Sequence, residues 1–98
     1  MKCLALEVEL PGFGPADFEP HLRAEARRVW DLQQAGTVRE IYFRADQHTA
    51  VLVLECGDLA EARSALASLP LVVAGLIRFE VLPLAPYPGF ARLFAGPA

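Results

Sequence analysis

The side chains able to do chemistry gather in the first half of the chain. Glu25 falls in a predicted helix, and His21 precedes it by four residues, which places both on one helical face. Arg39, Tyr42 and Arg44 follow on an alternating segment. His48 opens the next segment, across a short turn from Arg44. A carboxylate and an imidazole can take up and return protons, and a histidine titrates near neutral pH. An arginine can grip a carboxylate through two parallel hydrogen bonds. Each residue also has a plainer reading. Glu25 and the histidines suit a solvated surface, Arg39 a sheet edge, Tyr42 an interior filler, and Arg44 a hairpin turn beside Asp46. No Ser/His/Asp arrangement, metal-ligand spacing or basic–aromatic stripe competes with this set. Gly12 and Gly14 lie in a Pro-Gly-Phe-Gly-Pro turn with no completed phosphate-loop motif.

Composition narrows the class. The 98 residues are 54 % hydrophobic with mean hydropathy +0.32, more apolar than an ordinary soluble domain. A single domain of this size leaves much surface exposed, so a partner subunit is expected to cover the surplus. The net charge of −3 argues against nucleic acid as a partner. No apolar run reaches the ~20 residues of a membrane span, and Glu7 and Glu9 interrupt the first apolar stretch, so neither a membrane partner nor a signal peptide is expected. Cys3 and Cys56 fit no zinc spacing and read as small reduced hydrophobes of a cytoplasmic protein.

The elements that position the candidates follow from periodicity. Lys2 to Leu10 alternates, with Leu4, Leu6, Val8 and Leu10 on one face and Cys3, Ala5, Glu7 and Glu9 on the other. After the turn, Asp17 reads as an N-cap, Phe18, Leu22, Ala26, Val29 and Leu32 recur at helical spacing, and Gly36 stops the helix. Trp30 falls among the polar residues Arg23, Arg27 and Gln34. Strands are predicted over Thr37 to Arg44 and His48 to Glu55, joined as a hairpin. Asp58 and Glu61 form a capping-box-like pair opening a second helix with Leu59, Ala62, Leu66 and Leu69 buried, ended by Pro70. A fourth strand runs from Gly75 to Leu82, closed by Pro83. The order β-α-β-β-α-β predicts one α+β, ferredoxin-like domain: an antiparallel sheet with both helices on one face. Residues 84–98 form a proline and aromatic tail expected to dock on a partner subunit.

The uncovered face is expected to carry Ala5, Glu7 and Glu9, then Val38, Glu40, Tyr42 and Arg44, then Leu76, Arg78 and Glu80, with Ile41, Phe43, Ile77, Phe79 and Val81 turned to the helices. Two such faces packed across a two-fold axis would enclose a partly polar pocket in each subunit.

The chain resembles the muconolactone isomerase family of dimeric α/β-barrel proteins from about Leu22 to Pro86. The likeness rests on Glu25, Leu32-Gln33, Gly36-Thr37, Arg39, Arg44, His48, Ala50, Leu69-Pro70-Leu71, Glu80-Val81 and Leu84. Family enzymes are lysine-rich along the first helix, whereas the only lysine here is Lys2. The resemblance implies a face-to-face dimer or a ring of dimers, a small acidic lactone as ligand, and a place in aromatic-compound catabolism. A lactone isomerase shifts a proton along an allylic system and requires no metal or cofactor. It needs a base, for which Glu25 and His48 are the catalytic candidates. It also needs groups that hold the substrate, for which Arg44, Tyr42, Arg39 and His21 are available. A non-catalytic ligand-binding or structural barrel protein and a cofactor-free monooxygenase are the alternatives on the same architecture.

Overall fold

The computed structural model describes residues 1–96, so Pro97 and Ala98 of the tail lie outside it. Strand β1 spans Lys2–Glu9. A short helix α1 (Pro15–Phe18) and a 3-10 turn (Glu19–His21) lead into helix α2 (Leu22–Gln34). Strands β2 (Val38–Phe43) and β3 (Ala50–Glu55) form the hairpin. Helices α3 (Leu59–Ala67) and α4 (Pro70–Val73) precede strand β4 (Ile77–Leu84). The sheet order is β2-β3-β1-β4 with every pair antiparallel, the ferredoxin-like arrangement anticipated from the element order.

Several boundaries move for local reasons. The first helical segment opens at Pro15, and Asp17 lies inside it, its carboxylate accepting the Gly14 N–H at 2.7 Å. Pro20 lies in the 3-10 turn that separates α1 from α2. Pro70 opens α4 instead of ending α3, because a proline lacks the N–H that the first helical turn leaves unpaired. Gly36 and Gly75 close α2 and α4 in the same way, each with positive φ (83° and 77°). In both, the residue after the glycine donates its N–H back to the helix, Thr37 to Leu32 and Leu76 to Leu71, both at 3.0 Å. Gly75 therefore ends a helix rather than starting a strand. Pro83 lies within β4 opposite Cys3, tolerated because β4 is an edge strand. The Asp58–Glu61 pair forms as expected: Asp58 caps the Glu61 N–H at 2.8 Å, and Glu61 accepts the Gly57 N–H at 2.9 Å.

The core lies between the sheet and the helices. Cys3, Ala5, Leu52, Leu54 and Ala50 face it from the sheet, and Leu32, Ala62, Leu66 and Leu69 close it from the helices. Strand β1 is thus turned opposite to expectation. Cys3 and Ala5 are fully buried under the helices, whereas Leu4, Leu6 and Val8 are only half-buried on the other face. Small residues at the sheet centre let the helices approach closely. Val38 also moves into the core, because the pairing of β2 with β3 shifts between Val38 and Glu40 and inverts the alternation there. Leu76 precedes β4 and is buried with Leu71 and Ile77, not on the open face. Ile77, Phe79 and Val81 do point to the helices.

The open face is apolar at its centre. The register sets Leu4 between Val53 and Leu82, and Leu6 between Val51 and Glu80. Val8 pairs with Arg78, and Tyr42 with Val51. The tail leaves the body as a 3-10 turn over Gly89–Leu93, with Tyr87 and Phe90 edge to face at 5.0 Å. The longest dimension is 63 Å and the radius of gyration 16.7 Å, against ~13 Å for a compact chain of this length.

Candidate active site

A cavity of about 360 Å³ opens between the sheet and α2. Its floor comes from Glu7 on β1, Ile41 and Phe43 on β2, Ala50 and Leu52 on β3, and Phe79 on β4. Glu25, Val29, Trp30 and Gln33 line it from α2, because their spacing falls on one side of a helix. Leu69 and Leu71 close the end. The cavity is therefore on the helix side of the sheet, within one protomer. Glu7, expected on the uncovered face, lines this cavity, whereas Glu40 and Glu80 stay on the open face.

Glu25 is the fixed group in this cavity. Its carboxylate accepts the backbone N–H of Leu71 at 2.9 Å, which ties α2 to the start of α4. Burial pushes its pKa above the usual carboxylate range, and the Leu71 amide opposes that rise. Glu7 faces the same space. Burial raises its pKa first, the Ala50 amide opposes, and the charges of Glu9 and Glu25 add to the rise. Glu7 was expected on the other face with Ala5, and the inverted parity of β1 brings it in. An acid on the same parity as Cys3 and Ala5, set between Leu6 and Val8, was the signal for it.

The remaining candidates are dispersed. His48 lies in the β2–β3 loop with its ring edge to face against Phe43, centroids 5.6 Å apart. It lines a second recess that shares Glu7, Leu22, Phe43 and Leu71 with the first cavity, so it stands at the mouth, not beside Glu25. Arg44 is bonded through both Nε and an Nη to Asp46, at 2.9 and 2.6 Å. Arg39 is exposed and donates to the Gly36 carbonyl at 2.7 Å. Tyr42 stands on the open face, its hydroxyl donating to Glu40 at 2.7 Å. His21 is in the 3-10 turn and is not on the cavity wall. Trp30, assigned to the polar side of the helix, forms part of the wall while remaining 57 % exposed.

Both raised carboxyl pKa values have a consequence for stability. The folded chain holds these protons more tightly than the unfolded chain does. Their contribution to stability is thus complete below the ordinary carboxylate pKa and is lost as pH rises through the raised values. Glu7→Gln and Glu25→Gln should each melt higher than the parent at neutral pH. That gain should shrink toward pH ~4, where the parent carboxyls are protonated anyway. Equal gains at both pH values in thermal melts would contradict the assignment.

The fold and this half-open, carboxylate-bearing cavity define the class: a ferredoxin-like α+β protein with a candidate small-molecule site between sheet and helix. The chain belongs to the muconolactone delta-isomerase family, whose sequence pattern it matches over residues 4–89. Membership makes it an isomerase-like small-molecule enzyme by family. A crystal structure of a muconolactone isomerase superposes with a TM-score of 0.75 at 23 % identity, covering 90 % of this chain and 92 % of that one. A 5-chloro-2-hydroxyhydroquinone dehydrochlorinase from Burkholderia phenoliruptrix, in complex with 2,5-dihydroxybenzoquinone, superposes with a TM-score of 0.68 at 17 % identity, covering 87 % and 94 %. These likenesses concern the fold. No curated protein matches the chain. Among the described residues, no helix is long and apolar enough to cross a membrane, and no three His, Cys, Asp or Glu side chains group as a metal site.

Proposed function

We propose that this protein is a cytoplasmic, cofactor-free isomerase that moves a double bond in a small acidic lactone by transferring a proton, with Glu25 as the base. The observation that carries this reading is the half-buried Glu25 carboxylate, held by the Leu71 amide in a mostly apolar cavity that Glu7 and Gln33 also line. Apolar walls make a carboxylate a stronger base than it is in water. A cavity of about 360 Å³ is at the small end of ligand sites, which suits a single ring. The cavity wall carries no lysine or arginine, so the substrate's own carboxylate is directed to the mouth. There His48 is free to meet it, while Arg44 is neutralised by Asp46. The test is to incubate the protein with muconolactone in D2O and follow the product by NMR. The expected result is isomerisation of the lactone, with 1H retained at the newly protonated carbon to the extent that Glu25 returns its proton before it exchanges with solvent. An unchanged lactone would reject the substrate assignment.

The open face supports a homodimer formed face to face, with rings of dimers as the larger assembly. Leu4, Leu6, Val8, Val51, Val53 and Leu82 form an apolar centre that one protomer leaves uncovered. Tyr87, Phe90, Leu93 and Phe94, each at least two-thirds exposed, equip the tail to grip a neighbouring subunit. Leu6→Asp should convert a sedimenting dimer to a protomer at micromolar concentration, because it sets a charge at the middle of the buried patch. A parent protein that already sediments as a protomer would reject the dimer.

A further inference from the structure

We propose that Glu7, in its neutral form, donates a hydrogen bond to the substrate oxygen that becomes an enolate while Glu25 moves the proton. This rests on the reading of Glu25 as the base. Removing a proton from a carbon conjugated to a carbonyl places negative charge on the carbonyl oxygen. Stabilising that charge needs a donor already in place. Backbone N–H groups, neutral polar side chains and cations can all serve, and the wall of the Glu25 cavity has neither lysine nor arginine.

The other side-chain donors on the wall are Trp30 and Gln33. Both lie on α2 with Glu25, about 7.5 and 12 Å further along the helix axis at 1.5 Å per residue. A lactone carbonyl oxygen lies within about 5 Å of the far end of its allylic system, from the bond lengths of a three-carbon unit. Glu7 instead enters from the sheet, opposite α2, and lines the same space as Glu25. The ligand would lie between the two carboxyls.

The surroundings separate their roles. Glu25 accepts a backbone N–H, which favours its ionised form. Glu7 faces Glu25 across the cavity and has Glu9 beside it on β1, and both charges favour a proton on Glu7. The β3 amide of Ala50 acts in the opposite direction. In the neighbouring recesses Glu7 shares walls with Arg44 and His48 of the hairpin loop and with Glu80 of β4. Arg44 is paired with Asp46, so its charge is largely spent there, and Glu80 adds to the negative side. This is the division of labour two nearby carboxyls reach when their environments differ.

The step balances without a co-reactant. The Glu25 carboxylate takes the proton at one end of the allylic unit. The C–H electron pair becomes the new double bond, and the charge moves to the carbonyl oxygen, which accepts the Glu7 O–H. The dienolate then takes the proton back from Glu25 at the other end. Glu7 keeps its own proton throughout.

Three variants and two readouts test this. Glu7→Gln keeps a donor, and Glu7→Leu removes it. With muconolactone, Glu7→Leu should lose about 10²–10³ in kcat with KM little changed, the usual loss for one oxyanion donor. Glu7→Gln should stay within about tenfold of the parent and lose the alkaline limb of the kcat–pH profile, because an amide does not titrate. NMR titration of 13C-glutamate-labelled protein, free of ligand, should show Glu7 deprotonating at higher pH than Glu25. In Glu25→Gln the Glu7 titration should move down. Overturning results are Glu7→Leu turning over within threefold of the parent while Glu25→Gln is inactive, or Glu7 titrating below Glu25. If Glu25→Gln stays active, the base assignment fails and this proposal fails with it. If the parent leaves muconolactone untouched, the substrate assignment fails, and the titration order alone upholds or rejects the arrangement.

Discussion

Glu25→Gln should remove turnover while leaving the fold intact. The amide oxygen of glutamine can still accept the Leu71 N–H that the carboxylate accepts at 2.9 Å, so the α2–α4 tie survives. What disappears is the proton acceptor. Loss of a positioned general base costs about 10²–10⁴ in rate. A Glu25→Gln protein that melts at or above the parent temperature and has lost at least a hundredfold in kcat/KM is the expected outcome. The parent's kcat/KM should also fall at acid pH, with its limb above the ordinary carboxylate range, because burial raises the pKa of Glu25 and protonation silences it. Unaltered turnover in Glu25→Gln would sink the proposed chemistry.

Leu54→Ala should be the most destabilising of the simple core truncations. Leu54 has no exposed surface and lies next to the end of β3, opposite both Cys3 and Val38. Truncating a buried leucine costs about 2–5 kcal/mol, the spread reflecting how far the site collapses. A domain this size has roughly 5–15 kcal/mol in total. The melting temperature should fall by about 8 °C or more. Val53→Ala provides the contrast. Val53 is the neighbouring residue on the opposite face, half-buried in one protomer. Its effect should depend on protein concentration if that face is an interface, whereas the Leu54→Ala loss should not. Comparable, concentration-independent losses at both positions would contradict the two-faced arrangement of β3.

Much of this architecture is legible along the chain because it depends on short-range chemistry. The Asp58–Glu61 cap and Gly36 as a helix stop are local, and both hold. The element order leaves few topologies open, and the observed sheet order is the ferredoxin-like one. The continuous apolar run Val51-Leu52-Val53-Leu54 already hints that both faces of β3 need cover. Local patterns failed where the sequence alone did not choose between two faces of a strand. In β1 the alternation separates Leu4, Leu6 and Val8 from Cys3, Ala5 and Glu7. Hydrophobicity alone sends the larger set inward, but the helices settle on the smaller one. In β2 the shift between Val38 and Glu40 changes parity within one strand, which periodicity cannot register.

The chain's own order of residues determined the α+β fold, its family resemblance and Glu25 as a candidate, because helix caps, periodicity and motif spacing act over a few residues. Only the tertiary structure decided which side of the sheet the helices cover. That choice put Glu7 into a cavity on the helix side, opposite Glu25, and left Arg44, Tyr42 and Arg39 outside that cavity. The reason is steric. Close helix packing over the sheet centre selects the small side chains of Cys3 and Ala5, and every residue of their parity follows them inward.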